Sequence, residues 1–317
     1  MADTTTTSGL DQLAQTYYDS LAQDRLFQNL VFYQLGMHKT LPANSGQTYQ
    51  FYRYNNITGS TATIAENTLT AGQVQLSAQT TAITLSQYGQ FITLTDFAVY
   101  SERSKDLIKD ATEVLADGAS DTVDLLIRGN LYANATAFIG TDGTKSVATL
   151  AAADTFQPST LRRLARNFRT NKVRPFRDGQ NFVTVLHPFQ TFDLMSDTSV
   201  GGFAATAQFK EPQKIWNWDI GKLWQFRILE SQNITTVTGT TGTVTAYQAI
   251  ALGENAFACV NLKDSPINML VKGVGTGGTY DPYNNIATVA YKLRAFGVSW
   301  LGGDGPRAYK VITAVSA

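Results

Sequence analysis

SKDLIKDATEVLADGASDTVDLLIRGNLY, residues 104–132, carries the clearest helical signal in the chain. Leu107, Ala111, Val114, Leu115, Gly118, Ala119, Val123, Leu126 and Ile127 recur mostly at spacings of three and four, which places them on one face of an amphipathic helix. Ser104 can cap its start and put Asp106 in the first turn, where a negative charge suits the positive end of the helix dipole; Ser101, with Glu102 in the first turn, is the alternative. A helix over 104–132 spans about 40 Å at about 1.5 Å per residue, whereas the average helix has about 11 or 12 residues.

Upstream lie two strand-like regions, TYQFYRY at 48–54 and residues 73–94, separated by NNITGSTATIAENTLTA at 55–71. The separator is polar and Thr-rich, and Ile57, Ile64 and Leu69 are its only large apolar residues. Such a segment cannot pack a core of its own, so the region reads as a long β-hairpin with a polar tip. Arms of about 15 to 20 residues would reach roughly 50 to 65 Å. Before the hairpin, Leu10, Leu13, Ala14, Tyr17, Leu21 and Ala22, followed by Leu26, Phe27, Leu30 and Val31, predict one amphipathic arm or two short helices after a Thr-rich start. Gly36 and Leu41-Pro42 mark its end.

Downstream, Leu161, Leu164, Ala165 and Phe168 share one face of a helix predicted from Ser159 to about Thr170. NFVTVLHPF at 181–189 reads as a buried strand, Phe182 to Leu186, turning at His187-Pro188 into a short helix with Phe192 and Leu194. Strands then dominate: LWQFRIL (223–229), TVTAYQAIAL (243–252), AFACVNL (256–262), INMLVKG (267–273), IATVAYKLRAFGVSW (286–300) and AYKVITAVS (308–316). The fold class is α+β, with helices early and strands late.

Composition narrows the function. The chain has 317 residues with 43% hydrophobic and only 16% charged residues, against about 25% charged in an average soluble protein. A surface short of charge is often one covered by partners. Lys plus Arg equals Asp plus Glu at 25 each, so no net field draws the chain to nucleic acid or to an anionic membrane. Cys259 is the single cysteine, which excludes an intrachain disulfide and any multi-Cys zinc site and fits a reducing cytoplasm. The N-terminal MADTTTTSGLDQLAQ lacks the basic and apolar regions of a secretory signal, and no apolar run of about 18 residues predicts a membrane span.

The order of arm, hairpin, long helix, mixed segment and closing strands resembles the Hong Kong 97-type phage capsid fold, with its N-arm, E-loop, spine helix, P-domain and A-domain. More closely, the chain resembles the major capsid proteins of N4-like phages. The residues carrying this are LPANSGQTYQFYRY (41–54), LTAGQ (69–73), QYGQFITLTD (87–96), HPFQTFDL (187–194) and GKLWQFRILES (221–231); VAYKLRAFGVSW (289–300) is compatible with the same family. Each phrase alone is weakly specific, and their order and spacing together carry the assignment.

The resemblance implies an N-terminal arm at 1–40, an E-loop hairpin at 41–96, spine helix and P-domain at 97–157, mainly A-domain at 158–285, and closing strands at 286–317 that return to the P-domain. It also implies pentamers and hexamers closing into an icosahedral shell around double-stranded DNA, without sequence-specific DNA binding and without a membrane. The virion capsid, assembled in the host bacterial cytoplasm, is the implied location. Implied partners are the chain itself, a portal and, because the short arm leaves no room for a cleaved scaffolding region, a separate scaffold protein; a decoration protein is an optional addition. Covalent Lys–Asn crosslinking, found in some members of the wider fold, matches no position here. The competing class is a β-rich module, such as a virion decoration or carbohydrate-binding protein, which would not need a long helix after a long polar-tipped hairpin.

Catalytic chemistry has little to work with, and no catalytic, cofactor or metal residue is assigned. His38 and His187 are the only histidines, and Cys259 sits in an apolar run where a thiol is usually a small buried hydrophobe. KGVGTGGTY (272–280) and GTTGTV (239–244) lack the Lys-Ser/Thr ending of a phosphate loop. The sequons at Asn56, Asn134 and Asn233 fit chance in a Thr-rich chain that takes no secretory route. One dense basic cluster remains: Arg162, Arg163, Arg166, Arg169, Lys172, Arg174 and Arg177. It can hold DNA phosphates, or, as the better expectation, pair with carboxylates within or between subunits, since arginine suits bidentate ion pairs. With Ile57, Ile64 and Leu69, the residues Arg162, Arg163, Arg166 and Arg169 are the interface candidates.

Overall fold

The computed structural model describes residues 31–42, 45–61, 63, 74–101, 107–176, 181–196, 219–238, 244–263, 267–276, 281–302 and 306–315. The predicted arm before Val31 and the two alternative caps' first turn, 102–106, lie outside the described residues.

The long helix, α2 (Leu107–Asn134), has 28 residues, about 42 Å at about 1.5 Å per residue. Its apolar stripe serves two sheets in turn. Ala111, Leu115 and Ala119 share a buried cluster with Val289 and Tyr291, while Ile127 and Leu131, both fully buried, belong to a second cluster with Val183, Val185, Ile250, Phe257 and Phe296. A helix long enough to span both clusters is what joins the two sheets into one body.

The first sheet runs β1 (Met37–Leu41), β11 (Phe257–Leu262), β13 (Ile286–Trp300), β12 (Ile267–Lys272), with β4 (Ser86–Thr95) also on β13. β13 has 15 residues because it serves three partners: β12 and β4 flank its first half, and β11 takes its last residues after a register shift between Leu293 and Phe296. The second sheet runs β5 (Thr136–Ile139), β14 (Ala308–Ala314), β10 (Thr245–Leu252), β6 (Phe182–Leu186), β8 (Phe226–Glu230), β7 (Asp219–Leu223), with β9 (Thr236–Thr238) beside β10. β6 is buried at all five positions, Thr184 included, as expected for a strand covered on both faces. α3 (Pro158–Thr170) covers this sheet. It starts at a proline whose missing N–H costs nothing there, and buries Leu161, Leu164 and Phe168 completely. Phe168 stacks on Phe182 at 4.7 Å and meets Tyr309 edge-on at 5.1 Å. α4 (Pro188–Ser196) follows β6 directly, and α1 (Asp96–Ser101) follows β4.

The hairpin, β2 (Thr48–Tyr54) with β3 (Ala78–Thr84), forms its own two-stranded sheet. Its arms are seven residues each, roughly 23 Å, and not the longer arms expected from sequence. Two causes shorten them. Beyond the Asn55 N–H to Ser77 carbonyl bond of 2.9 Å no ladder continues among the described residues, where Thr, Ser, Gly and Asn offer no alternating apolar face. At the other end, buried Leu85 takes the chain out of the hairpin so that residues 86–95 pair with β13 instead. The hairpin base lies on β13 at Gly297, where a Cβ would come within 2.7 Å of Ile83 Cγ2 and 3.0 Å of the Thr84 carbonyl.

A second difference concerns LWQFRIL, expected as one strand. It is the turn of a hairpin: Leu223 pairs with Phe226, and Trp224 (φ 49°) and Gln225 (φ 71°) form a two-residue left-handed loop. Short strands β1, β5 and β9 and helix α1 carry no sequence periodicity long enough to announce them; β1 and β5 exist as parallel additions to β11 and β14.

Candidate interaction surfaces

Among the described residues no group of three or more His, Cys, Asp or Glu side chains could hold a metal. Cys259 is buried, and desolvation pushes its thiol up to about 12, so the nucleophilic thiolate is suppressed. No hydrogen bond joins it to His187. His187 instead caps α4: its Nδ1 accepts the Phe189 N–H at 3.3 Å, while Gln190 Oε1 accepts the His187 N–H at 3.3 Å. Its ring stacks on Tyr247 at 4.0 Å, and burial holds its pKa below the usual histidine value. The neutral, accepting ring is the form this cap requires.

The polar centre of the molecule is a three-way junction that sequence reading missed. Asp124, 1% exposed on α2, accepts the Phe32 N–H at 3.0 Å and the Asn233 side-chain amide at 3.1 Å. The same amide donates to Asp121 at 3.0 Å, and Arg128 donates to the Asn233 carbonyl at 2.7 Å. Phe32 opens a 3-10 turn, Phe32–Leu35, whose own N-cap, Val31, offers no side-chain oxygen. A carboxylate 92 residues away therefore does the capping. Burial raises the Asp124 pKa, opposed by these hydrogen bonds.

The surface is richer in large apolar groups than scattered exposure explains. On β2, Tyr49 and Phe51 face inward, while Tyr52 (73% exposed) and Tyr54 face out. Phe91, Ala290 and Leu270 form one cross-strand row, offset by one residue from Val289 and Ile92, which pack with α2. They therefore lie on the sheet face that α2 does not cover, and Phe91 is 70% exposed. Phe97 (82%) and Tyr100 (80%) stand out from α1, and Phe189 and Phe192 from α4. The signal was present in TYQFYRY, whose four aromatics occupy both faces of a strand that has only one face to bury.

Of the interface candidates, Ile57 is exposed near the hairpin tip, and Ile64 and Leu69 lie outside the described residues. The arginines separate by their place on α3. Arg163 turns back into its own chain, donating to Asp142 and to the Thr141 carbonyl at 3.4 Å. Arg162 lies over the Trp224 ring at 4.9 Å. Arg166 and Arg169 are exposed, make no ion pair among the described residues, and rim a shallow groove with Ala165, Trp224 and Gln225. The outer face of α3 is thus a cationic ridge continued by the tip of the β7–β8 turn.

Known proteins place this architecture. The capsid of Ralstonia phage GP4 is similar at a TM-score of 0.73 and 17% identity, with 99% of each chain covered. The cyanophage Pam1 capsid matches at 0.73 and 12% over the whole of both chains, and the head of Helicobacter pylori bacteriophage KHP40 at 0.71 and 11% over 99% of each. No curated protein matches the chain. These likenesses confirm the Hong Kong 97-type fold expected from the order of arm, hairpin and long helix. The family model described as phage capsid protein matches residues 77–311, from the second hairpin strand to the last strand of the fold, and so the chain belongs to the phage capsid protein family and is a capsid component of the virion.

Proposed function

We propose that this chain is the major shell subunit of a tailed phage of the N4-like type, closing as hexamers and pentamers into an icosahedral capsid around double-stranded DNA and catalysing no reaction. The observation that carries the reading is the set of large apolar side chains left outside every core of the single subunit: Tyr52, Tyr54 and Ile57 on the hairpin, Phe91 on the uncovered sheet face, Phe97 and Tyr100 on α1. Burying such groups is worth about 1.5 to 3 kcal/mol each, and within one subunit that stabilisation is forgone. In this reading residues 1–40 are the N-arm, 41–96 the E-loop, 97–157 the spine helix and P-domain, 158–285 mainly the A-domain, and 286–317 the closing strands. Ile57, Ile64 and Leu69 meet a neighbouring subunit, and Arg162, Arg166 and Arg169 present cations to a neighbour's carboxylates, with Arg163 fixing the ridge to its own chain. A separate scaffold protein and a portal complete assembly in the host cytoplasm, and a decoration protein is compatible with it.

The hairpin tip gives the test. Ordering it costs about 1 to 2 kcal/mol per residue in backbone entropy, which its few apolar side chains cannot offset without a neighbour. Replacing residues 56–76 by a short Gly-containing turn is expected to leave circular dichroism and solubility of the subunit nearly unchanged while abolishing closed shells in sedimentation and electron microscopy. Normal-sized shells from the shortened chain would refute the tip's role.

A further inference from the structure

α4 opens with a capping box in which histidine stands where serine or threonine is usual. His187 immediately precedes Pro188, the first helical residue, and its Nδ1 accepts the Phe189 N–H at 3.3 Å. Gln190 Oε1 reaches back to accept the His187 N–H at 3.3 Å. A hydroxyl oxygen would accept such a bond at any ordinary pH. An imidazole nitrogen accepts only while it carries no proton, so this cap holds on a condition that a serine cap would not impose.

The same two residues tie the start of α4 to the sheet. The His187 ring stacks on Tyr247 of β10 at 4.0 Å and on Phe189 at 5.3 Å. Gln190 is fully buried and donates to the Tyr247 carbonyl at 3.1 Å and to Thr313 Oγ1 of β14 at 2.8 Å. On its other side the helix leaves Phe189 and Phe192 exposed. Whatever loosens the first turn of α4 therefore alters an apolar surface.

We propose that His187 is an acid-sensitive catch: on taking a proton from solvent at Nδ1, it releases the first turn of α4 from β10 and loosens the face that carries Phe189 and Phe192. Three effects act together. The acceptor becomes a donor set against the Phe189 N–H. A positive charge appears at the N-terminal end of the helix, where the dipole is already positive. A half-buried ring becomes charged. Stacking of the cation on Tyr247 returns only part of this. On the neighbouring elements the titratable and charged groups are Tyr247 on β10, Arg227 and Glu230 on β8, Tyr309 and Lys310 on β14, and Asp193 on α4; β6 has none. Glu230, opposite Leu186, and Asp193 each have partners of their own. Burial lowers the His187 pKa, and none of these groups raises it.

The sign follows from linkage. The native ring takes up a proton less readily than the unfolded one, so its contribution is fully present above the ordinary histidine value of 6.5 and shrinks as pH falls toward the lowered native value. Glu230 and Asp124, whose pKa values burial raises, act in the opposite direction and cannot produce a loss on acidification.

Hydrogen exchange of the full chain, read by mass spectrometry at about pH 7 and about pH 5 and corrected for the intrinsic pH dependence of amide exchange, tests this. Protection of α4 is expected to fall about fivefold at the lower pH, the size of a typical cap loss, while α3 stays unchanged. In H187N the asparagine oxygen accepts in the same place and does not titrate, so α4 is expected to keep its protection at both pH values. H187A is expected to lower it at both. Titration of the His187 ring followed by NMR in the wild-type chain serves if H187N does not fold, with a pKa below 6.5 expected. Equal protection of α4 at both pH values in the wild type, the same loss in H187N, an equal loss in α3, or a His187 pKa at or above 6.5 would overturn the proposal.

Discussion

Ile127→Lys is expected to abolish folding of the isolated subunit, or to lower its stability by more than about 4 kcal/mol in thermal or denaturant melts. Ile127 is fully buried in the cluster where α2 meets both sheets. The substitution removes a branched side chain worth about 1.5 to 3 kcal/mol of burial and forces an ammonium among the apolar side chains of that cluster. Leu126, one position earlier, looks equivalent in the sequence but is only half-buried at the edge of that cluster. There a lysine can run its stem along apolar surface and keep its charge in water, so Leu126→Lys is expected to cost less than half as much. Equal melts for Ile127→Lys and the wild type would show that α2 does not carry the junction of the two sheets.

Asp124→Ala is expected to be the most damaging polar substitution, at about 2 to 5 kcal/mol, because it strips the acceptor from the buried Phe32 N–H and from the Asn233 amide together. Its pH dependence has a defined sign. Burial raises the Asp124 pKa in the folded chain, so the native state takes up the proton more readily than the unfolded one. The contribution of Asp124 to stability is then fully present below the ordinary carboxylate pKa and shrinks as pH rises through its raised native value. The stability gap between wild type and Asp124→Ala should be larger near pH 4 than at pH 7. A gap that widens toward neutral pH would mean that the carboxylate is favoured in its charged form, against the desolvation argument.

The parts legible in the sequence were those whose own residues enforce a period. The stripe on α2, the β-branched run of β6, the helix at 158–170 and the strand at 286–300 each carry enough signal to fix their type, because their partners lie along a continuous face. What stayed hidden depends on residues distant in sequence. β1 and β5 are short and take their conformation from parallel neighbours. The Trp224-Gln225 turn has neither the Gly nor the Asn that normally announces a left-handed loop. Asp124 looks like one more acid on a helix with Asp110, Glu113, Asp117 and Asp121, and only the fold shows that it alone faces inward to cap a turn before the hairpin. The arginine run was visible as charge, but its division into an outer ridge and an internal ion pair depends on Trp224 and Asp142, neither of them adjacent to it.

Whether copies of this chain build a closed shell is decided by cryo-electron microscopy of particles from cells expressing the full chain together with its genomic neighbours. Closed icosahedral particles are expected whose walls are rings of six and five copies of this chain, with the hairpin and the exposed faces of α1 and β4 buried between copies. Closed particles whose walls contain none of this chain, or a chain that remains as single subunits beside them, would contradict it.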